Sequence, residues 1–260
     1  MKIVILAMDD PLYTNKFIKD IINAREKDII GFVHLTKGNR LTIGKKRSKL
    51  AYLTSLLLIM GPWYFFKNSL TTLVHIIKIK LSKLGLCNDP TVYNYAKNIG
   101  LNSVKIDNPN SQEFHNYIKD LKPDVIINQS QAFIKNELLE IPKIGVINRH
   151  NALLPKNRGR LTPFWTLYKE EEQTGVSIHF INEELDAGDI IVQKKFNITK
   201  SDSFNTIVDK NYKLAGEAIL EALDLLESGN YNLIPNYDSK ATYNTIPTLK
   251  EAWEYRKKRF

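Results

Sequence analysis

The sequence predicts an α/β fold: an open, mostly parallel twisted sheet flanked by helices, with a helical basic insertion and a C-terminal helix plus short tail. Three observations predict it. Short apolar runs such as residues 2–8 (KIVILAM) have strand length and no polar alternation, as in strands buried on both faces. These runs alternate with stretches of helical periodicity, which calls for parallel strands joined by crossover helices. Of the 260 residues, 43% are hydrophobic and 25% charged, enough for a sizeable core and too apolar for a disordered chain.

In chain order, residues 2–8 are the first strand. Residues 11–25 follow as a helix, with Leu12, Phe17, Ile18, Ile21 and Ile22 near helical spacing. Residues 29–35 are the second strand and complete a β-α-β opening. Beyond the insertion, residues 92–99 are a short helix and 103–106 a strand. Residues 111–121 are a helix and 124–128 (DVIIN) a strand. A helical turn at 135–140 precedes the strand 145–150 (GVINRH). Residues 162–172 read as a helix with Pro163 in its first turn, where the missing N–H is harmless. Residues 175–181 and 189–198 form a strand pair. Residues 204–228 are a long amphipathic helix stopped at Gly229. The remainder has turn composition and ends in a basic stretch, Tyr255 to Arg259.

The formal net charge is +9, from 37 Lys and Arg against 28 Asp and Glu. Between Asp28 and Asp89 there is no acid, and that stretch holds ten bases: Lys37, Arg40, Lys45, Lys46, Arg47, Lys49, Lys67, Lys78, Lys80 and Lys83. Elsewhere 27 bases face 28 acids. One basic segment on a near-neutral body is a poor fit to a general nucleic-acid surface. Residues 50–66 carry no charge, yet they fall short of the roughly 20 apolar residues of a membrane span and are broken at Gly61-Pro62. Residues 70–84 place Leu70, Leu73, Val74, Ile77, Leu81 and Leu84 on one helical face, a basic amphipathic pattern. Two readings stay open. Residues 40–88 fold as a helical cap that buries its apolar faces on the α/β body, or they dock on an anionic membrane surface.

The single Cys87 excludes a disulfide framework and fits a reducing compartment. The first residues lack a signal-peptide pattern. The histidines have no ligand spacing, so no metal site is expected. No Gly-x-Ser-x-Gly elbow and no Gly-x-Gly-x-x-Gly fingerprint occurs.

Chemistry concentrates in residues 145–155 (GVINRHNALLP). Side chains alternate along a strand, so Asn148 and His150 point the same way. They sit at the carboxyl end of an expected parallel strand, the edge where open α/β sheets bind ligands. An amide donor beside an imidazole suits acyl transfer: Asn stabilises an oxyanion and His moves a proton. The plainer alternative is that both satisfy a strand end and its turn. Asp186, 36 residues after His150 in the turn EELDAGD, is positioned to orient that ring or is an ordinary acidic turn residue.

The ordered set Asn148-Arg149-His150, Leu153-Leu154-Pro155, Arg158-Gly159, Pro163, Trp165, the run Thr174 to His179 and the run Leu185 to Ile190 resembles one known family. It is similar to the catalytic domain of the formyltransferases that use 10-formyltetrahydrofolate. That family includes methionyl-tRNA, glycinamide ribonucleotide and sugar N-formyltransferases. The resemblance implies a Rossmann-like catalytic domain over 1–200, carrying the insertion at 40–88, with 201–260 packed on the same domain. It implies that Asn148 binds the formyl oxygen, that His150 shuttles the amine proton, and that Asp186 holds His150. It puts the folate between one loop of Gln131, Ala132, Phe133 and Ile134 and another of Asn182, Glu183, Glu184, Leu185 and Asp186. Ala132 stands where many members have Gly.

Only about 60 residues follow the last motif strand, against about a hundred in the extra domain of the tRNA enzymes, which argues against tRNA. The loop after the first strand, Met8-Asp9-Asp10-Pro11, lacks the glycines that cradle a phosphate. By exclusion the resemblance implies an amino-sugar acceptor, nucleotide-linked, in surface glycan biosynthesis. The alternatives are an aminoacyl group on tRNA or a carrier protein, and a membrane-docked member acting on a lipid-linked sugar. Asp9 and Asp10 are candidates for the acceptor's cationic or hydroxyl groups, or solvated loop acids. Arg158 and Arg160 are candidates for its phosphate or carboxylate. The expected setting is cytoplasmic, with the inner membrane face as a variant and a homodimer as one option.

Overall fold

A computed structural model describes residues 1–37, 48–130 and 132–259. The apolar runs form the middle of a seven-stranded sheet. β1 (Ile3–Ala7) is buried at every position, and β2 (Ile29–Leu35) nearly so. Between them α1 (Thr14–Ala24) buries Phe17, Ile18, Ile21 and Ile22. After β2 come α2 (Lys49–Met60), α3 (Pro62–Ser82), α4 (Val92–Asn98) and β3 (Ser103–Ile106). Then follow α5 (Gln112–Leu121), β4 (Val125–Gln129), α6 (Asn136–Leu139) and β5 (Gly145–His150). The last part holds β6 (Arg158–Gly159), α7 (Thr162–Tyr168), β7 (Gln173–Phe180), β8 (Ile190–Asn197), α8 (Phe204–Ser228), β9 (Tyr243–Asn244) and α9 (Leu249–Arg259).

The sheet order is β3-β2-β1-β4-β5-β7-β8. The first five of these strands pair parallel, and β7 and β8 add an antiparallel edge. Strand order reverses between β1 and β4, which opens a crevice beyond their carboxyl ends. Alternation along β1 divides the core. Ile3 and Ile5 join α1, α4 and α8 on one face, while Val4 and Leu6 meet Phe114 and Ile118 of α5 on the other. A third cluster joins Ile59 of α2, Phe164 of α7, Phe204 of α8 and Tyr255 of α9.

The structure alters two sequence expectations, keeps the break at Gly61-Pro62 and bears unequally on the cap reading. α7 ends at Tyr168, because Glu170 (φ 56°) turns the chain into β7 from Gln173. The C-terminal stretch contains a helix, α9, which buries Ala252 and Tyr255. The uncharged run 50–66 is split between two helices at Gly61 (φ 81°), with Pro62 opening α3. The cap reading holds for α2, which buries Ser55 and Ile59, but not for α3, which buries none of its 21 residues. Arg40, Lys45, Lys46 and Arg47 lie outside the described residues.

Candidate active site

β5 runs parallel beside β4 in register, Asn128 opposite Asn148, and antiparallel beside β7, Asn148 opposite His179. That placement brings Asn148, His150 and His179 to one end of the sheet. The turn after β7 carries Asp186 into the same space. A pocket of about 530 Å³ is lined by Asn148, His150, His179 and Asp186 together.

Each side chain is held by named partners. Arg149 Nε donates to Gln129 Oε1 (3.1 Å), so the Gln129 amide nitrogen must face the other way. It donates to Asn148 Oδ1 at 3.0 Å and to the Asn128 carbonyl at 2.8 Å. The Asn148 oxygen is therefore occupied, and its NH₂ group is the part left to meet a ligand. His150 Nε2 donates to the Asn157 carbonyl at 2.8 Å, which leaves Nδ1 as the nitrogen able to accept a proton. Asp186 Oδ2 stands 3.5 Å from that Nδ1 and accepts the Gly159 N–H at 2.9 Å. His179 Nδ1 donates to the Phe180 carbonyl at 2.7 Å, and its Nε2 is buried without a partner, 3.8 Å from Asp186 Oδ1. Burial pushes His179 down to about 4, against the pull of Asp186 and with help from His150, so the ring is neutral at pH 7.

Local backbone makes this arrangement possible. Asp186 has φ 51°, a left-handed conformation that Asp tolerates better than most residues. Gly188 follows it because a Cβ there would sit 2.1 Å from the Phe180 carbonyl oxygen. Gly159 has φ 102°, and a Cβ would meet the Asn244 oxygen at 2.2 Å. The segment 236–244 straps the site from outside. Asn236 Nδ2 donates to the carbonyls of Asp186 (2.8 Å) and Gly188 (2.9 Å), and β9 pairs with β6.

Among the expected donor-binding residues, Ala132, Phe133, Ile134, Asn182, Glu184 and Leu185 line the pocket at one end. Glu183 is exposed and is not part of the lining. Gln131 lies outside the described residues. The lining also includes Tyr13, Tyr52 and Tyr212, the first and last stacked at 4.7 Å. Burial pushes the Tyr13 hydroxyl up to about 12, so it remains a donor at neutral pH.

Three acceptor-site expectations are corrected. Arg158 is fully buried and held by Asp238 (2.6 Å), Tyr243 Oη (2.7 Å) and Asn236, so it fastens the strap instead of meeting a ligand. Asp10 accepts from Leu12 N–H and Thr14 Oγ1 at the start of α1. Asp9 accepts from Asn15 Nδ2 and pairs with His75 of α3. Neither aspartate lines the pocket, and Arg160 does. Sequence reasoning missed Gln129, Asn157 and Asn236. The side-chain amides of Gln129 and Asn236 and the backbone carbonyl of Asn157 act on partners 7 to 50 residues away, and no local pattern marks them.

Comparison with known proteins identifies the family. A family described as formyl transferase matches residues 76–223. A methionyl-tRNA formyltransferase of Clostridioides difficile is 39% identical over 120 residues, 46% of this chain and 39% of that protein. One from Thermotoga neapolitana is 34% identical over 157 residues, 60% of this chain and 50% of that protein. The chain thus spans half or less of the length of these curated relatives. Among solved structures, a sugar N-formyltransferase from Shewanella sp. superimposes with TM-score 0.60 at 18% identity, over 95% of this chain and 77% of the other. A glycinamide ribonucleotide transformylase from Symbiobacterium toebii gives TM-score 0.61 at 13% identity, over 91% and 92%. An N-formyltransferase of Helicobacter canadensis, solved with folinic acid and dTDP-3-aminofucose, gives 0.57 at 15% identity, over 94% and 71%. With more than half the chain inside the family match and the fold shared end to end, this protein belongs to the formyl transferase family.

Proposed function

We propose that this chain is an N-formyltransferase that moves the formyl group of 10-formyltetrahydrofolate onto the amine of an amino sugar, nucleotide-linked. The observation that carries the reading is the convergence of the Asn148 NH₂ group, the free His150 Nδ1 and the Asp186 carboxylate in one pocket. At one end of it Phe133, Ile134, Ile181 and Leu185 wall an apolar slot suited to a flat heterocycle, with Asn128 and Asn182 as polar partners. The donor supplies an activated formyl carbon. Asn148 donates to the formyl oxygen as negative charge develops there. His150 Nδ1 accepts the proton of the attacking amine, and Asp186 stabilises the resulting imidazolium; the tetrahedral intermediate then collapses as the bond from the formyl carbon to the donor's N10 breaks, N10 takes that proton, and tetrahydrofolate leaves. No covalent enzyme intermediate is needed.

The acceptor enters along the side walled by Tyr13, Tyr52 and Tyr212, and Arg160 is part of the same lining. The dTDP-3-aminofucose bound to the Helicobacter canadensis enzyme supports a nucleotide-linked sugar there. The curated sequence relatives favour methionyl-tRNA as a second reading. The exposed thiol of Cys87 suits a reducing, cytoplasmic setting. Purified protein with 10-formyltetrahydrofolate and a panel of nucleotide-linked amino sugars tests the proposal, with methionyl-tRNA as the competing substrate. Tetrahydrofolate release with an amino sugar alone supports it. Release with methionyl-tRNA alone overturns it.

A further inference from the structure

Helix α3 wears its apolar side outward. Phe65, Asn68, Thr72, His75, Ile79 and Ser82 recur every three or four residues, are half-buried, and are mostly polar. His75 pairs with Asp9 just past β1, which pins the middle of the helix to the body. The opposite side carries Trp63, Phe66, Leu70, Leu73 and Ile77, between 45% and 75% exposed. Leu84, 72% exposed, continues the row. A single exposed leucine needs no explanation, but a continuous stripe about 30 Å long does.

Helical spacing sets Lys80 along one border of this stripe and Lys67 and Lys78 along the other, with Lys83 past the end. No acid occurs between Asp28 and Asp89. We propose that α3 lies in the surface of an anionic bilayer, its stripe at the boundary of the acyl chains and its lysines among lipid phosphates. Charge selects this occupant. A second copy seated on the stripe would set two like lysine borders against each other, with no acid in the segment to relieve them. An anionic lipid surface matches both the apolar stripe and its borders. No helix among the described residues is long and apolar enough to cross a membrane, so α3 lies on the surface instead of spanning it. The inference stands apart from the proposed reaction, because it uses no residue of the pocket.

The test is co-sedimentation of the full chain with phosphatidylcholine vesicles, with and without phosphatidylserine. Two variants on exposed positions accompany it: Leu70→Ser/Leu73→Ser/Ile77→Ser and Lys67→Glu/Lys78→Glu/Lys80→Glu. The expected result is binding that depends on phosphatidylserine and falls about a hundredfold or more in the lysine variant. The serine variant should also lose binding, with thermal unfolding unchanged in both. Wild-type protein that stays in the supernatant, or variants that bind as well as wild type, overturns the proposal. So does a dimer in sedimentation velocity that the serine variant converts to monomer, which would give the stripe to a second copy.

Discussion

Replacing Asp186 with Asn separates charge from shape at the centre of the pocket. The carboxylate does two things: Oδ2 accepts the Gly159 N–H at 2.9 Å, and it faces His150 Nδ1 at 3.5 Å. An amide oxygen in the Oδ2 position keeps the first contact. The amide nitrogen then falls where Oδ1 was, 3.8 Å from the unpartnered His179 Nε2, which is an acceptor in the tautomer fixed by the Phe180 carbonyl. Folding should therefore be unchanged or slightly improved. What is lost is a full negative charge beside the imidazolium that forms during proton transfer. At 3.5 Å and an effective dielectric of about 20, that attraction is about 4–5 kcal/mol. The amide dipole retains part of it, so a loss of about 3 kcal/mol, or about a hundredfold in kcat, is expected. The assay is tetrahydrofolate release under saturating donor with the acceptor that supports turnover, paired with urea unfolding of the same variant. Asp186→Ala is the control. It strands the Gly159 N–H and puts a less tolerant residue at φ 51°, so about 2 kcal/mol of stability should go with the activity. A natively stable Asp186→Asn enzyme within threefold of wild-type kcat would refute the assignment of Asp186 as the partner of His150.

Removing the amide of Asn148 (Asn148→Ala) should cost about 10²–10³ in kcat, the usual price of one oxyanion donor, while donor affinity measured by fluorescence stays unchanged. Gln129→Met frees the Asn148 amide to rotate, so kcat should fall with KM for both substrates held; an unchanged kcat would show that Gln129 does not position it. Arg158→Met leaves Asn236 and Tyr243 without their buried donor, and urea unfolding should register a loss of about 2–4 kcal/mol. Asp202 tests linkage. Burial raises its pKa, but Lys210, Thr199 and Thr206 overcome this and hold it at about 2, below the ordinary carboxylate value of 3.8. Because the folded value is depressed, the stabilisation of about 2 kcal/mol is complete above pH 4 and disappears as pH falls to 2. Unfolding of Asp202→Asn should differ from wild type at pH 7 and converge with it near pH 2.

The strands and most helices were legible because burial on both faces leaves uninterrupted apolar runs, and residues 29–35 and 204–228 matched to the residue. Asn148 and His150 were legible for a related reason: strand alternation alone puts them on one side at the carboxyl end. α9 was not, since only Ala252 and Tyr255 are buried in a run of charges. Asp9 and Asp10 misled because a loop acid after a strand looks the same whether it meets a ligand or holds the loop and a neighbouring helix. Arg158 misled similarly, since its partners lie about 80 residues on. For α3 the period was legible and the direction was left open between two readings. A helical pattern says that a face is apolar, and carries no information about whether that face turns inward.

The strap at residues 236–244 divides responsibility for the site. The main sheet holds Asn148 and His150 through β5 and its pairing with β4 and β7. The loop that carries Asp186 takes its outer anchor from Asn236, and Gly159 its close neighbour from Asn244. The reactive centre thus depends on a segment outside the main sheet, and loosening residues 236–244 would release Asp186 while leaving Asn148 and His150 in place.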